Sequence, residues 1–235
     1  MIPDKAFYIN ESDINNGLFS LNKAESHHAI KVVKLRLGDV ITLVDGKGSG
    51  YFATIEKFES NCVFGIIDKK IENLGENKSN INIAPGILKK NRFEILLEKV
   101  TELGVKEIHP IIMDRSVKKT INMDRCNQII ISAAKQCRRS LFPILHQPKK
   151  LIALFQNKKY CNFFAGDLET DQYLNEFDLT KDHPYYIIIG PEGGFTKPER
   201  ELMISKDVVQ FSLGNRRLRS ETATIAALSI LNRLR

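Results

Sequence analysis

The stretch that decides the fold is Ile187-Ile188-Ile189-Gly190-Pro191-Glu192-Gly193-Gly194-Phe195. The preceding residues from Tyr185 onward are apolar, so the run to Ile189 predicts a strand buried on both faces. The glycines that follow permit a tight loop with exposed backbone. Thr196 and Glu199 then have the spacing of a capping box, which predicts the start of a helix.

A second glycine loop follows at Leu213-Gly214-Asn215-Arg216-Arg217-Leu218-Arg219-Ser220-Glu221-Thr222-Ala223. It joins a predicted strand, Val208 to Leu213, to an alanine-rich final helix. A purely structural loop would need only a turn and a cap, whereas this one carries three arginines and a glutamate. The two loops therefore predict neighbouring sheet ends whose backbone is exposed to a ligand.

The two glycine loops do not match the motifs that bind nucleotide phosphates. The chain has neither a Walker lysine loop nor Gly-x-Gly-x-x-Gly opening a helix, the two devices that hold nucleotide phosphates. Gly46-Lys47-Gly48-Ser49-Gly50 comes nearest to them, but it lies between two predicted strands and reads as a hairpin turn.

Together with blocks elsewhere in the chain, the two loops resemble the RsmE family of the SPOUT class of RNA methyltransferases. The matching blocks span nearly the whole chain in the family's order: Ser26-His27-His28, Val32-Val33-Lys34, Gly38-Asp39, Asp45-Gly46, Glu98-Lys99-Val100-Thr101-Glu102-Leu103-Gly104-Val105 and Ala133-Ala134-Lys135-Gln136-Cys137-Arg138-Arg139. The resemblance implies methylation of N3 of a specific uridine in 16S ribosomal RNA, within the small ribosomal subunit. It implies S-adenosyl-L-methionine (SAM) as the cofactor.

The resemblance also assigns roles to the two loops. The expected cofactor-binding residues are Ile189, Gly190, Pro191, Glu192, Gly193, Gly194, Leu213, Gly214, Leu218, Thr222 and Ala223. Uridine N3 becomes nucleophilic only as its proton leaves, so a cation beside the base would stabilise the developing negative charge. Arg219 is the candidate for this cation, and Glu221 is the candidate orienter or proton acceptor. Glu221 also suits a structural role near a helix N-terminus.

Charge is distributed unevenly along the chain. Residues 1–80 hold ten Lys and Arg against eleven Asp and Glu, a net charge of −1, whereas residues 81–235 hold twenty-five against seventeen, a net charge of +8. Such a basic excess is typical of a surface that attracts RNA phosphates. The candidate RNA-binding residues are Lys34, Arg92, Arg115, Arg138, Arg139 and Arg216.

Neither a metal site nor a membrane segment is predicted. The four cysteines, at positions 62, 126, 137 and 161, have no zinc-ligand spacing and no dense disulfide pattern. The chain has no signal peptide pattern and no apolar run long enough to span a bilayer, so we expect a cytoplasmic protein.

The chain predicts an α/β fold in two domains. Short predicted strands, Lys5 to Ile9, Val40 to Val44, Tyr51 to Lys57 and Cys62 to Asp68, surround one short helix capped by Ser26. The resemblance makes residues 1–72 a PUA-like RNA-binding β-barrel, followed by a polar linker at 73–80. Residues 81–235 alternate helices and strands, Ile108 to Met113 and Asn162 to Ala165 among them, which predicts a mostly parallel sheet. The resemblance makes this second part a SPOUT methyltransferase domain with a C-terminal trefoil knot and implies a homodimer.

The sequence is also compatible with two other functions. The chain could be a 2′-O-ribose methyltransferase of the SPOUT class or a non-catalytic RNA-binding factor in ribosome assembly. It also departs from the RsmE pattern at three places: Arg217 stands where an apolar residue is usual, Ser220 where threonine is usual, and Lys5 where many members have arginine.

Overall fold

The computed structural model describes residues 3–78, 80–156, 161–177 and 183–233. The chain forms two compact units, one of residues 1–76 with 131–142 and the other of residues 77–130 with 143–235. Each predicted domain is one continuous stretch of the sequence, whereas the first unit also includes residues 131–142 from the middle of the chain. Leu74 and Glu76, within the predicted linker, are buried. The order of residues along the sequence does not reveal that a later segment packs into the first unit.

The first unit is a six-stranded sheet with a short helical segment, as predicted for a PUA-like domain. The strands are β1 (Ala6–Tyr8), β2 (Ile14–Asn15), β3 (Leu18–Ser20), β4 (Val40–Val44), β5 (Ser49–Glu59) and β6 (Cys62–Glu72), in the order β1-β4-β5-β6-β3-β2. Strand β1 pairs in parallel with β4, and the other pairs are antiparallel. A short 3-10 turn, Glu11–Asp13, precedes β2.

The hairpin between β4 and β5 forms where Asp45-Gly46 predicts it. Asp45 Oδ1 accepts hydrogen bonds from the backbone N–H groups of Lys47, at 2.7 Å, and Ser49, at 2.9 Å. Alternate residues of β5, namely Tyr51, Ala53 and Ile55, point into the core. This alternation is expected of a half-buried strand.

The helical segment consists of α1 (Lys23–His27) and a π turn (His28–Val33). The prediction that Ser26 caps it is wrong, because Asn22 is the N-cap and accepts a hydrogen bond from the Glu25 N–H at 2.9 Å. Ser26 is buried, donates to the Leu21 carbonyl and accepts from the Val63 N–H. Its hydroxyl therefore ties the helix to β6.

The second unit is an α/β sheet covered by helices. Its strands are β7 (Ile81–Pro85), β8 (Glu107–Ile108), β9 (Ile111–Ile112), β10 (Ile144–Leu145), β11 (Lys149–Lys150), β12 (Asn162–Gly166), β13 (Tyr185–Ile189) and β14 (Val209–Phe211). Its helices are α2 (Lys90–Glu102), α3 (Met123–Cys137), α4 (Leu151–Leu154), α5 (Lys197–Ile204) and α6 (Ser220–Arg233), with a 3-10 turn at Leu174–Glu176. The end of α3 belongs to the first unit.

The main sheet has the order β10-β8-β7-β13-β12-β14, and every pair in it is parallel. This confirms the predicted α/β class. The predicted strand Ile108 to Met113 is two short strands, because Pro110 between them has no N–H to donate to a ladder. The pair β9 and β11 forms a separate small sheet. The trefoil knot stays a prediction.

Burial on both faces of the central strands explains their apolar sequence. All five residues of β7 and of β13 are buried. On α2, Phe93, Leu96, Leu97 and Val100 form the buried stripe. None of the helices in the described ranges is both long and apolar enough to cross a membrane.

Candidate cofactor pocket

A pocket of about 550 Å³ opens at the carboxyl ends of β12, β13 and β14. Neighbouring parallel strands end at the same edge of a sheet, so the loops after them meet there. Its wall includes residues of both predicted glycine loops, together with Gly166 to Glu169 after β12. This is the ordinary place for a ligand in an open α/β sheet.

The first glycine loop is a tight turn. The Gly194 N–H donates to the Pro191 carbonyl at 2.8 Å, and Gly194 has φ +68°, a conformation that favours glycine. A Cβ on Gly194 would have no protein atom within 4 Å. The backbone therefore stays accessible at this point of the wall. The predicted capping box follows, with Thr196 as N-cap of α5 and its N–H donating to Glu199 at 2.7 Å.

Three side chains donate hydrogen bonds to backbone carbonyl groups of this loop. Arg115 Nη1 donates to the Gly193 carbonyl at 2.7 Å, and Arg217 Nη2 donates to the Glu192 carbonyl at 3.0 Å. The Ser220 hydroxyl donates to the Gly190 carbonyl. Two of these residues depart from the family pattern, and the structure gives both a role: Ser220 and Arg217 link the second glycine loop to the first.

Arg92 lies between two carboxylates beside the pocket. Its Nη1 is 3.2 Å from Glu192 Oε1, and its Nε is 3.8 Å from Glu221 Oε1. The other oxygen of each carboxylate, Oε2, is buried and has no hydrogen-bond partner among the described residues. A buried carboxylate oxygen without a donor is costly, so Glu192, which lines the pocket, is suited to a ligand that brings N–H or O–H groups.

A second ion pair borders the pocket after β12. Arg200 pairs with Asp167 and, at 3.0 Å, with Glu169. Asp167 Oδ1 also accepts from the Glu169 N–H at 3.1 Å. These three residues were not predicted. The available signal was the glycine at the end of β12, directly before Asp167, because the first glycine loop also begins with a glycine at the end of a strand.

The wall is strongly basic. It carries six arginines, Arg92, Arg115, Arg200, Arg216, Arg217 and Arg219, against three carboxylates, Asp167, Glu169 and Glu192, for a net charge of +3. Arg216 and Arg219 are exposed, and neither side chain makes an ion pair or hydrogen bond with another residue that the structure describes. Their guanidinium groups remain available to an anionic ligand or to charge that develops during a reaction.

Most of the predicted site residues meet in this pocket. From the predicted cofactor set, its wall contains Ile189, Gly190, Pro191, Glu192, Gly193, Gly194, Leu213, Leu218 and Ala223. Arg219 also lines it, as do Arg92, Arg115 and Arg216 from the predicted RNA-binding set. Phe195, Phe211 and Ser220 line it without having been predicted.

Three of the predicted cofactor-binding and catalytic residues lie outside the wall. Gly214 has φ +109°, a conformation that favours glycine, so glycine is required here by the turn of the backbone. Thr222 is exposed on α6, away from the wall. Glu221 is buried and reaches the site only through Arg92.

The remaining predicted RNA-binding residues belong to the first unit. Lys34 is exposed, and Arg138 lies 3.3 Å from Asp4 with part of its side chain accessible. The prediction that Arg139 contacts RNA is wrong. Its side chain is 1% exposed and binds Glu76, which is 3% exposed, through Nε to Oε1 at 3.0 Å and Nη2 to Oε2 at 2.9 Å.

This buried ion pair predicts a difference between the two adjacent arginines. Arg139→Met leaves Glu76 buried without its cation, so we expect a loss of about 3–5 kcal/mol in the free energy of unfolding. Arg138→Met removes only a partly exposed pair, and we expect a loss of less than about 1 kcal/mol. Urea unfolding measures both values. Equal stability of the two variants would contradict the structural role of Arg139.

The sequence profile of the RNA methyltransferase domain family matches residues 75–232, and that of the RNA methyltransferase PUA domain family matches residues 21–63. The first of these includes the whole wall of the pocket.

Relatives match over nearly their full length. The ribosomal RNA small subunit methyltransferase E of Mesomycoplasma hyopneumoniae is 30% identical over 95% of this chain and 96% of its own. The enzyme of the same name from Bacillus subtilis is 29% identical over 91% and 89%. A crystal structure of the Neisseria gonorrhoeae enzyme of that name, bound to S-adenosyl methionine, has a TM-score of 0.89 and 26% identity, and covers 98% of this chain and 97% of its own. This chain therefore belongs to the ribosomal RNA small subunit methyltransferase E (RsmE) family.

Proposed function

We propose that this protein uses SAM to methylate N3 of a specific uridine in 16S ribosomal RNA. The observation that carries the proposal is the basic pocket between the two glycine loops, which joins an accessible loop backbone to two arginine side chains, Arg216 and Arg219, without a partner among the described residues. The backbone suits a cofactor without phosphates, and the arginines suit an RNA base and its phosphates. The relatives from Bacillus subtilis and Mesomycoplasma hyopneumoniae are named as methyltransferases of small subunit ribosomal RNA, which supports the RNA substrate of the proposal.

The residues of the pocket fit SAM. Ile189, Leu213 and Leu218 offer apolar surface, and Gly194 leaves the loop backbone open. The buried Oε2 atom of Glu192, which lines the pocket, is an acceptor suited to N–H or O–H groups of a ligand. When bound, SAM supplies an electrophilic methyl group on a sulfonium centre.

In this proposal, the protein stabilises the uracil base as it loses its N3 proton. Arg219 reaches the pocket without a protein partner in the described part of the chain, so its positive charge can act on the base. Glu221 does not line the pocket, so we propose it as a positioning residue that orients Arg92 rather than as a proton acceptor.

The decisive experiment identifies the methylated nucleoside. Purified protein is incubated with labelled SAM and either 16S RNA or small subunits that lack the modification, and the nucleosides are separated after digestion. We expect N3-methyluridine. A methyl group on a ribose 2′ oxygen would favour the alternative SPOUT activity. Absence of transfer to both substrates, together with absence of SAM binding, would favour a non-catalytic assembly factor.

We also propose that the protein acts as a homodimer in the cytoplasm, where its ribosomal substrate is found. Ala226 and Ile230 on α6 are partly exposed positions that allow close packing of a second chain. Sedimentation at micromolar concentration distinguishes a dimer from the 26.7 kDa monomer. Appearance of only the monomer would contradict the proposed assembly and leave the proposed reaction intact.

A further inference from the structure

The second unit carries a cluster of one carboxylate and two imidazoles that takes no part in the pocket. Strands β8 and β10 are parallel neighbours, with Glu107 opposite Ile144 and Ile108 opposite Leu145. The next residues along the two strands are His109 and His146. Glu107 and His109 are two residues apart, so they share one side of the chain. Strand register therefore brings the three side chains together.

Their polar atoms converge. Glu107 Oε2 is 2.8 Å from His109 Nε2 and 2.9 Å from His146 Nε2, and one ligand atom from each residue lies within 4.8 Å of the others. The two imidazoles are stacked, with centroids 4.0 Å apart and planes 12° from parallel. The side chain of His109 is 2% exposed, whereas those of Glu107 and His146 are 32% and 37% exposed. His109 is therefore the buried member of the cluster, and Glu107 and His146 are accessible to solvent.

The two imidazoles of the cluster favour the ionised form of its carboxylate. Hydrogen bonding from His109, followed by that from His146, lowers the pKa of Glu107 to about 2. Tyr186 packs against the His109 ring with centroids 5.5 Å apart, and burial raises the pKa of its phenol, so it brings no charge of its own near neutral pH. The cluster thus presents one negative charge beside two imidazoles.

We propose that Glu107, His109 and His146 bind one divalent transition-metal ion, with Zn²⁺ as the best fit. Two imidazole nitrogens and a carboxylate oxygen form a common zinc ligand set, and water completes a tetrahedral site. The ion connects the two outer strands β8 and β10. None of the three residues lines the basic pocket, so the site is structural and independent of the proposed methyl transfer.

Metal binding requires one movement. A metal ion lies in the plane of each imidazole that coordinates it, so two parallel stacked rings cannot share one ion. The partly exposed His146 ring turns out of the stack to direct Nε2 toward the ion, while the buried His109 ring stays in place. Each coordinating nitrogen must be unprotonated, so the affinity for metal falls as the pH is lowered.

Titration calorimetry of the full chain with ZnCl₂, after removal of metal by a chelator, tests the proposal. We expect one ion per chain and an affinity at least about tenfold weaker in His146→Asn and in Glu107→Gln, the lower end of the usual cost of disturbing a metal site. The matched control is His27→Asn, an exposed histidine of the first unit. It should bind zinc as the unmodified protein does.

Two further readouts separate a specific site from weak surface binding. Zinc should raise the thermal midpoint of the unmodified protein and not that of His146→Asn. Co²⁺ in place of zinc should give the visible absorption of a tetrahedral site, and Glu107→Gln should remove it. Absence of a one-to-one isotherm in the unmodified protein, or equal affinity in His146→Asn, would overturn the proposal.

Discussion

Replacing Ala223 with phenylalanine is expected to abolish cofactor binding while the protein stays folded. Ala223 lines the pocket from the first turn of α6 and is only partly buried, so a larger side chain extends into the cavity rather than into the core. We expect SAM affinity, measured by calorimetry, to fall by about 100-fold or more, equivalent to about 2.8 kcal/mol.

The matched control is Ser229→Phe, an exposed position on the same helix. It adds an aromatic ring to α6 without touching the pocket, so its SAM affinity should equal that of the unmodified protein. Unchanged affinity in a folded Ala223→Phe variant would show that the cofactor binds elsewhere. Loss of affinity in both variants would point to a general defect of the helix.

Arg219→Ala is expected to lower turnover at saturating RNA and SAM by about 10²–10³-fold, the usual cost of removing one group that stabilises a developing negative charge. The exposed guanidinium lines the pocket and has no partner among the residues described, so its removal should leave the fold unchanged. SAM affinity should change little. Single-turnover assays measure the effect on the chemical step.

Arg233→Ala, an exposed arginine at the other end of α6, removes the same charge and should keep full turnover. A loss of RNA affinity in Arg219→Ala without a loss of turnover at saturation would assign Arg219 to RNA binding instead. In that case the salt dependence of RNA binding should also become weaker in Arg219→Ala than in Arg233→Ala.

The sequence predicted the two glycine loops because local chemistry determines them. The apolar run before Gly190 requires a buried strand, and Thr196 with Glu199 marks the next helix, so few conformations remain for the loop between them. Predictions were less accurate within α6. Thr222 and Ala223 are adjacent in sequence, yet only Ala223 faces the pocket, because neighbouring helical residues point in different directions.

The sequence could not reveal residues that the fold brings from other elements. Asp167 follows β12, Arg200 lies on α5 and Phe211 ends β14, and they reach one wall only because these parallel strands end at the same edge. His109 and His146 are far apart in the chain and meet through strand register. Cysteine spacing therefore gave no sign of the proposed metal site.

Arg139 illustrates a different limit. Because Arg139 follows Arg138 and lies beyond the apolar stripe of α3, the sequence predicts that it is a surface cation. The chain leaves the helix at Arg138 with φ +60°, and the next residue turns inward to meet Glu76. A single backbone change after the helix thus gives two adjacent arginines opposite environments.

The discontinuous first unit affects how the protein is made. Its residues 1–76 leave the ribosome first, but 131–142, with the cation that neutralises Glu76, emerge much later. At the usual synthesis rate of about 5–20 residues per second, the interval from residue 76 to residue 142 is about 3–13 s. During this interval the nascent β-strands lack part of their packing. Stalled nascent chains should therefore gain protease resistance in this unit only after residue 142 has left the exit tunnel.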